Sequence, residues 1–134
     1  MKLIFCIDNK NGMMFFGKRQ SQDSVLREWI IKHKADKKLW MSTYSSKQFS
    51  DQTGYVVDDN YITNAMAGDY CFIEDEGYLL DNVSEIILCK WNRKYQADKF
   101  FDVDLKSNGF KKISSEDIQG SSHDKITIET YRRG

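Results

Sequence analysis

The run YCFIEDEGYLLDNVSEIILCKWN, Tyr70–Asn92, constrains the fold more than any other part of this 134-residue chain. Tyr70–Ile73 and Glu85–Trp91 are short apolar stretches of the kind that form buried strands. Between them lie three consecutive acids, Glu74, Asp75 and Glu76, and a segment around Gly77–Asn82 that reads as one short helix. Strand, tight turn, helix and strand form a crossover unit, so a parallel pairing at the centre of an α/β sheet is expected. Open sheets of that class bind ligands beyond the carboxyl ends of their strands. At that end this chain places Glu74, Asp75 and Glu76.

The flanking sequence supplies the other elements. Lys2–Ile7 is a continuous apolar run, as expected of a central strand, and Asp8–Gly12 ends it with turn residues. Met13, Met14, Phe15 and Phe16 stand between two glycines outside any periodic pattern. They read either as a loop over a cleft or partner surface, or as one merely packed on the core. Asp23 is an N-cap candidate for a helix running to about His33, with Val25, Leu26, Trp29 and Ile30 at helical spacing. Lys37–Met41 reads as a strand, and Ser42, Thr43 and Tyr44 open a polar turn into a short helix near Lys47–Asp51. A strand over Tyr55–Asp58 and a short helix over Asn60–Met66 precede the central unit. After it come an extended stretch, Lys99–Leu105, a short strand, Phe110–Ile113, and a polar loop, Ser114–Asp124. Lys125–Tyr131 alternates Ile126, Ile128 and Thr130 on one face, which suits an antiparallel hairpin closing a mostly parallel sheet.

A chain of this length is expected to fold as one domain, 1–134, burying about two-thirds of its unfolded surface. Twenty basic and twenty acidic residues cancel, so no global field favours nucleic acid or an anionic membrane, and neither partner is expected. The local clusters Lys32–Lys38 and Arg132–Arg133 read as a helix end and a chain end. Cys6, Cys71 and Cys89 sit in apolar runs without close spacing, which suits buried reduced thiols in a cytoplasmic protein. The N-terminal apolar stretch is too short for a signal peptide or a membrane span.

Catalytic chemistries are thinly represented. Two histidines, His33 and His123, are too few for a histidine-ligated metal centre, and no nucleophile-elbow sequence accompanies them. Ser121–Asp124 reads as a solvated loop rather than a small polar site. Glu74, Asp75, Glu76 and Asp81 are hard oxygen donors but lack the alternating spacing of a calcium loop, so no metal is expected. Trp29, Trp40 and Trp91 read as core rather than as a stacking platform.

In this order the elements resemble dihydrofolate reductase. The carriers are LIFCID with its following loop, the acid-led helix at Asp23, KLWMSTYSSKQF, and the stretch from Tyr70 onward, including YQADKFFDVDL, FKKI and ITIETYRR. The resemblance implies a nicotinamide cofactor cradled by a Gly-rich turn after the strand matching Tyr70–Ile73. Here that turn is Glu74-Asp75-Glu76, followed by the lone Gly77. The family's turn often holds a Gly-Gly cis bond, and a cis bond outside proline costs about 2.5–4 kcal/mol. Helix N-termini attract anions through free N–H groups. Here Glu74 or Asp75 is placed to cap those groups itself and to repel a pyrophosphate.

Other family features differ too. The Gly-Arg that follows the second strand is replaced by Ser42-Thr43, and no arginine lies between Arg27 and Arg93 to hold a folate carboxylate. Only about 20 residues separate Phe49 from Tyr70, which shortens the adenosine side. Asp23 alone carries over by position, where the family keeps its proton-relay carboxylate. It would anchor an amino-pyrimidine by paired hydrogen bonds, or serve only as the N-cap.

The expected fold is therefore a three-layer α/β/α domain with a mixed, mainly parallel central sheet. The expected function is that of a non-catalytic or degenerate member that holds no cofactor and binds a small molecule or protein through the old substrate cleft. The cleft candidates are Met13, Met14, Phe15, Phe16, Asp23, Ser42, Thr43, Tyr44, Glu74, Asp75 and Glu76. The alternative is a reductase of a pterin- or pyrimidine-like substrate with its cofactor bound in a divergent way.

Overall fold

Along Lys2–Ile7 the side chains alternate between two separate cores. Leu3, Phe5 and Ile7 enter one and Ile4 and Cys6 the other. A strand buried on both faces must lie inside a sheet covered on both sides. The computed structural model, which describes residues 1–75 and 77–134, shows this arrangement. Its strands are β1 (Lys2–Ile7), β2 (Gly12–Phe15), β3 (Lys18–Arg19), β4 (Leu39–Met41), β5 (Val56–Val57), β6 (Tyr70–Ile73), β7 (Glu85–Lys90), β8 (Lys99–Phe100), β9 (Phe110–Ile118) and β10 (Ile126–Arg133). Its helices are α1 (Ser24–Lys34), α2 (Thr43–Ser46) and α3 (Tyr61–Asn64).

The main sheet has seven strands in the order β5-β4-β6-β1-β7-β10-β9. The first five run parallel, while β10 is antiparallel to β7 and β9 antiparallel to β10. This is a mixed, mainly parallel α/β sheet. Helix α1 covers one face through Leu26 and Ile30, against Ile4, Leu39, Phe72 and Ile87. The opposite face is covered by α3, by a small sheet in the order β3-β2-β8, and by irregular segments carrying Tyr78, Leu80, Phe101 and Val103.

Several local expectations are corrected. Strands β6 and β7 are parallel but do not pair with each other, because β1 lies between them. Among the described residues no helix joins them: residues 77–80 are irregular and 81–82 form a turn, with left-handed backbone at Gly77 (φ 96°) and Asn82 (φ 64°). This stretch lies across the core, where the Tyr78 ring meets Phe5 edge-on at 4.9 Å. Met13–Phe15 is strand rather than loop, since β2 pairs with both β3 and β8, and Phe16 alone of the four lies in the turn that follows. The first helical turn after β4 is at Thr43–Ser46 rather than Lys47–Asp51, because the Ser42 hydroxyl caps it by accepting from Ser45 N at 3.1 Å. The first five residues of the expected 114–124 loop belong to β9, which continues to Ile118 as an almost wholly exposed edge strand. With no buried face, it shows no apolar alternation.

Candidate functional site

The carboxyl ends of β4 and β6 face the point where the connections diverge, one leading outward to β5 and the other across β1 toward β7. Between them is a cleft of about 400 Å³ lined by Met14, Gly17, Ser42, Tyr44, Tyr61, Glu74 and Asp75. Such a divergence is where open α/β sheets place ligands. A larger hollow of about 540 Å³ lies among residues 77–80 and 102–108, away from the strand ends.

One ion pair dominates the cleft. Arg19, at the end of β3, meets Glu74 through two bonds, Nε to Oε2 at 2.9 Å and Nη2 to Oε1 at 3.1 Å. The same guanidinium lies 4.3 Å from the Tyr44 ring centre and donates to the Tyr44 carbonyl at 3.2 Å. The Tyr44 hydroxyl accepts from Arg19 N at 2.8 Å. A planar fork gripped on both edges and stacked on a ring has little freedom left. Burial alone would lower the guanidinium pKa, and the Glu74 carboxylate more than offsets that and raises it. Asp75 pairs with Lys99 at 2.6 Å on the exposed rim. None of the described residues lining the cleft is basic. The Tyr61 hydroxyl is pushed up to about 12 by burial, then by Cys71, Asp75 and Glu74, so it stays protonated as a donor.

The structure brings some of the sequence candidates together and separates the others. Met14, Ser42, Tyr44, Glu74 and Asp75 come together at the cleft. Met13 is buried in the core, and Thr43 turns outward to bond Asp59 through its N–H at 2.8 Å and its hydroxyl at 3.0 Å. Phe15 packs on Phe16 at 4.2 Å and lines a different surface groove, leaving Phe16 78% exposed. Glu76 lies outside the described residues. Glu74 and Asp75 are followed by no helix among the described residues before β7.

Asp23 stands apart. It does not line the cleft, and both its oxygens are occupied. Oδ1 accepts from the backbone of Val25 (3.0 Å), Leu26 (3.3 Å) and Ser121 (3.0 Å) and from the Ser121 hydroxyl (3.2 Å). Oδ2 accepts from Ser122 N at 2.8 Å and faces His123 Nδ1 at 2.9 Å. The N-cap reading is thus correct, and the same carboxylate also ties the loop before β10 to α1. Burial would raise its pKa; the His123 bond and the Ser121, Ser122 and Leu26 N–H groups outweigh burial and hold it well below the usual carboxylate range. His123, expected in a solvated loop, is 3% exposed and stacks on Trp91 at 4.5 Å.

Sequence reasoning missed Arg19, Tyr61 and His123. Arg19 had a usable signal: it is the first arginine in the chain, in a turn near the strand ends, where three acids require a cation. His123 had none, because its partner lies 100 residues away.

No protein-family model matches the chain, and no curated protein matches it in sequence. Among solved structures it is similar to dihydrofolate reductase from Enterococcus faecalis complexed with NADP(H) and RAB-propyl. That match has a TM-score of 0.68 and 12% identity, and it covers 99% of this chain and 95% of the other. A likeness at this identity speaks for the backbone and not for the site. The chain has the dihydrofolate reductase-like fold.

Proposed function

We propose that this protein is a binding protein built on a dihydrofolate reductase-like fold, and that its strand-end cleft takes a small molecule rather than a nicotinamide dinucleotide. The observation that carries this reading is the bidentate Arg19–Glu74 pair. A pyrophosphate needs cations or free N–H donors. The Arg19 guanidinium beside this cleft is already committed to a carboxylate, and the described lining residues add carboxylates and hydroxyls. Because Glu74 and Asp75 are both paired, repulsion of phosphate is weaker than from three bare acids; what disfavours a pyrophosphate is that none of the described lining residues is basic. A ligand suited to Met14, Tyr44, Tyr61 and two carboxylates is small, partly planar and rich in hydrogen-bond donors, such as an amine, an amidine or an amino-heterocycle.

The test is a thermal-shift screen of aliphatic amines, benzamidine, diaminopyrimidines, pterins, NADH and NADPH. A ligand selective for the folded state adds about 2.7 kcal/mol at 100 times its Kd. Donor-rich cations should stabilise the protein, and Tyr61→Phe or Asp75→Asn should weaken that effect. Stabilisation by NADPH together with a pterin, and by none of the amines, would favour the reductase reading instead.

A further inference from the structure

We propose that Ser21, His123 and Asp23 form an acyl-transfer site, separate from the cleft, that hydrolyses esters of small anionic acids. His123 Nδ1 lies 2.9 Å from Asp23 Oδ2, and Ser21 Oγ lies 3.0 Å from His123 Nε2. A carboxylate only accepts, so Nδ1 carries the proton; in the neutral imidazole Nε2 is then the acceptor, and the Ser21 hydroxyl donates to it. Nucleophile, base and orienting carboxylate are thus in line at hydrogen-bond distances. The imidazole and carboxylate side chains are 1% and 0% exposed, while Ser21 is half-buried.

The segment is held on both sides of the nucleophile. The Gln20 amide donates to Asp8 Oδ2 at 3.0 Å and to the Gln96 carbonyl at 3.1 Å, and Asp23 is fixed by its N–H donors. Gly120 presses against the Asp23 carboxylate so closely that an added Cβ would collide with Oδ2. Trp91 stacks on the imidazole with an interplanar angle of 21°, a face that favours the imidazolium formed during reaction. In the residue preceding the nucleophile, Gln20 Oε1 is buried without a partner. The Tyr95 hydroxyl, 3.3 Å from Nε2, is free to donate to a developing oxyanion once Nε2 has taken the serine proton.

Tyr95 and Gln20 also line a surface groove with Phe15, Lys18 and Lys94. Two exposed lysines beside an aromatic wall suit an acyl group that carries a carboxylate. In the reaction Ser21 Oγ bonds to the acyl carbon and its proton passes to Nε2. As the ester C–O bond breaks, Nε2 gives that proton to the departing alcohol. Water then attacks the acyl-serine and gives a proton to Nε2, which passes it to Ser21 Oγ as the acyl C–Oγ bond breaks and the acid is released. No oxidant or cofactor enters the balance.

A fluorophosphonate probe on the intact protein, followed by peptide mass spectrometry, is the first test, with p-nitrophenyl acetate and p-nitrophenyl hemisuccinate as substrates. Expected are stoichiometric labelling at Ser21 and a fall in hydrolysis of about 100-fold or more in Ser21→Ala and His123→Gln. The Lys18→Ala/Lys94→Ala double variant should raise KM for the hemisuccinate more than for the acetate. Asp23 acts as a positioning residue, so Asp23→Asn should lower kcat with KM unchanged. Ser21→Ala removes one half-buried hydroxyl and should keep the wild-type thermal midpoint, so it decides the matter even if His123→Gln does not fold. An unlabelled Ser21 in folded wild type, or equal hydrolysis by wild type and Ser21→Ala, would overturn the proposal.

Discussion

Glu74 and Asp23 are two acids that stand out in the sequence as site candidates, and the fold treats them in opposite ways. Glu74 ends a central strand and is neutralised by a single guanidinium, at a side-chain exposure of 10% against 17% for Arg19. Asp23 is enclosed, and N–H groups from two segments share its charge with one imidazole. An ion pair at a cleft wall fixes one local shape. A carboxylate collecting donors from α1 and from the loop before β10 fixes how two distant parts of the chain meet. The first arrangement commits a guanidinium at the cleft to a carboxylate, while the second holds a histidine and a serine in line.

Removing the two acids separates these roles. Asp23→Ala should cost about 3–5 kcal/mol in urea unfolding, since it leaves buried N–H groups and His123 without an acceptor. Asp23→Asn retains one accepting oxygen and should cost less, about 1–3 kcal/mol. Equal losses for the two would mean that the carboxylate's charge-assisted bonds add nothing beyond capping. The folded pKa of Asp23 is depressed, so its contribution is complete above the ordinary value near 4 and is lost as pH falls through the folded value. Glu129 acts in the same direction, held at about 2 by Lys90, Lys112 and Tyr131 against the effect of burial. Acid unfolding should therefore begin below about pH 4, and Asp23→Asn should flatten it.

At the cleft, Arg19→Ala or Glu74→Ala alone should cost about 2–3 kcal/mol, and the double variant less than the sum. A double-mutant cycle with no coupling energy would remove the pair from the account. Gly12 tests the link between the two regions: a Cβ there would sit 2.7 Å from Gln20 Nε2 and 2.6 Å from Ala97 Cβ. Gly12→Ala should cost about 1–3 kcal/mol by overpacking and, through Gln20, disturb both Arg19 and Ser21. Phe16→Asn touches neither region. At 78% exposure and φ 50°, it should change stability by less than about 0.5 kcal/mol.

The main sheet was legible because β1, β6 and β7 are buried on both faces and so read as unbroken apolar runs. Tertiary context overrode the local signals elsewhere. Residues 77–82 look helical by composition, yet Tyr78 and Leu80 gain more by packing separately on the core. In β9 the residues Lys111–Asp117 are all exposed, and pairing with β10 makes them a strand without any apolar pattern. The cleft was half legible: strand ends are readable, so Ser42, Tyr44, Glu74 and Asp75 were named, whereas Arg19 and Tyr61 arrive from other elements. The buried node was illegible, because nothing near residue 123 shows that Asp23, Ser21 and Trp91 surround it.

Calorimetric titration of the wild-type protein with NADPH at low salt tests the central claim most directly. If the Arg19–Glu74 pair leaves the strand-end cleft without phosphate donors, binding should be weaker than about 100 μM, short of roughly 5.5 kcal/mol. Saturable binding at micromolar Kd or tighter, lost on Tyr44→Ala, would show that the cleft cradles the pyrophosphate after all and would contradict the account.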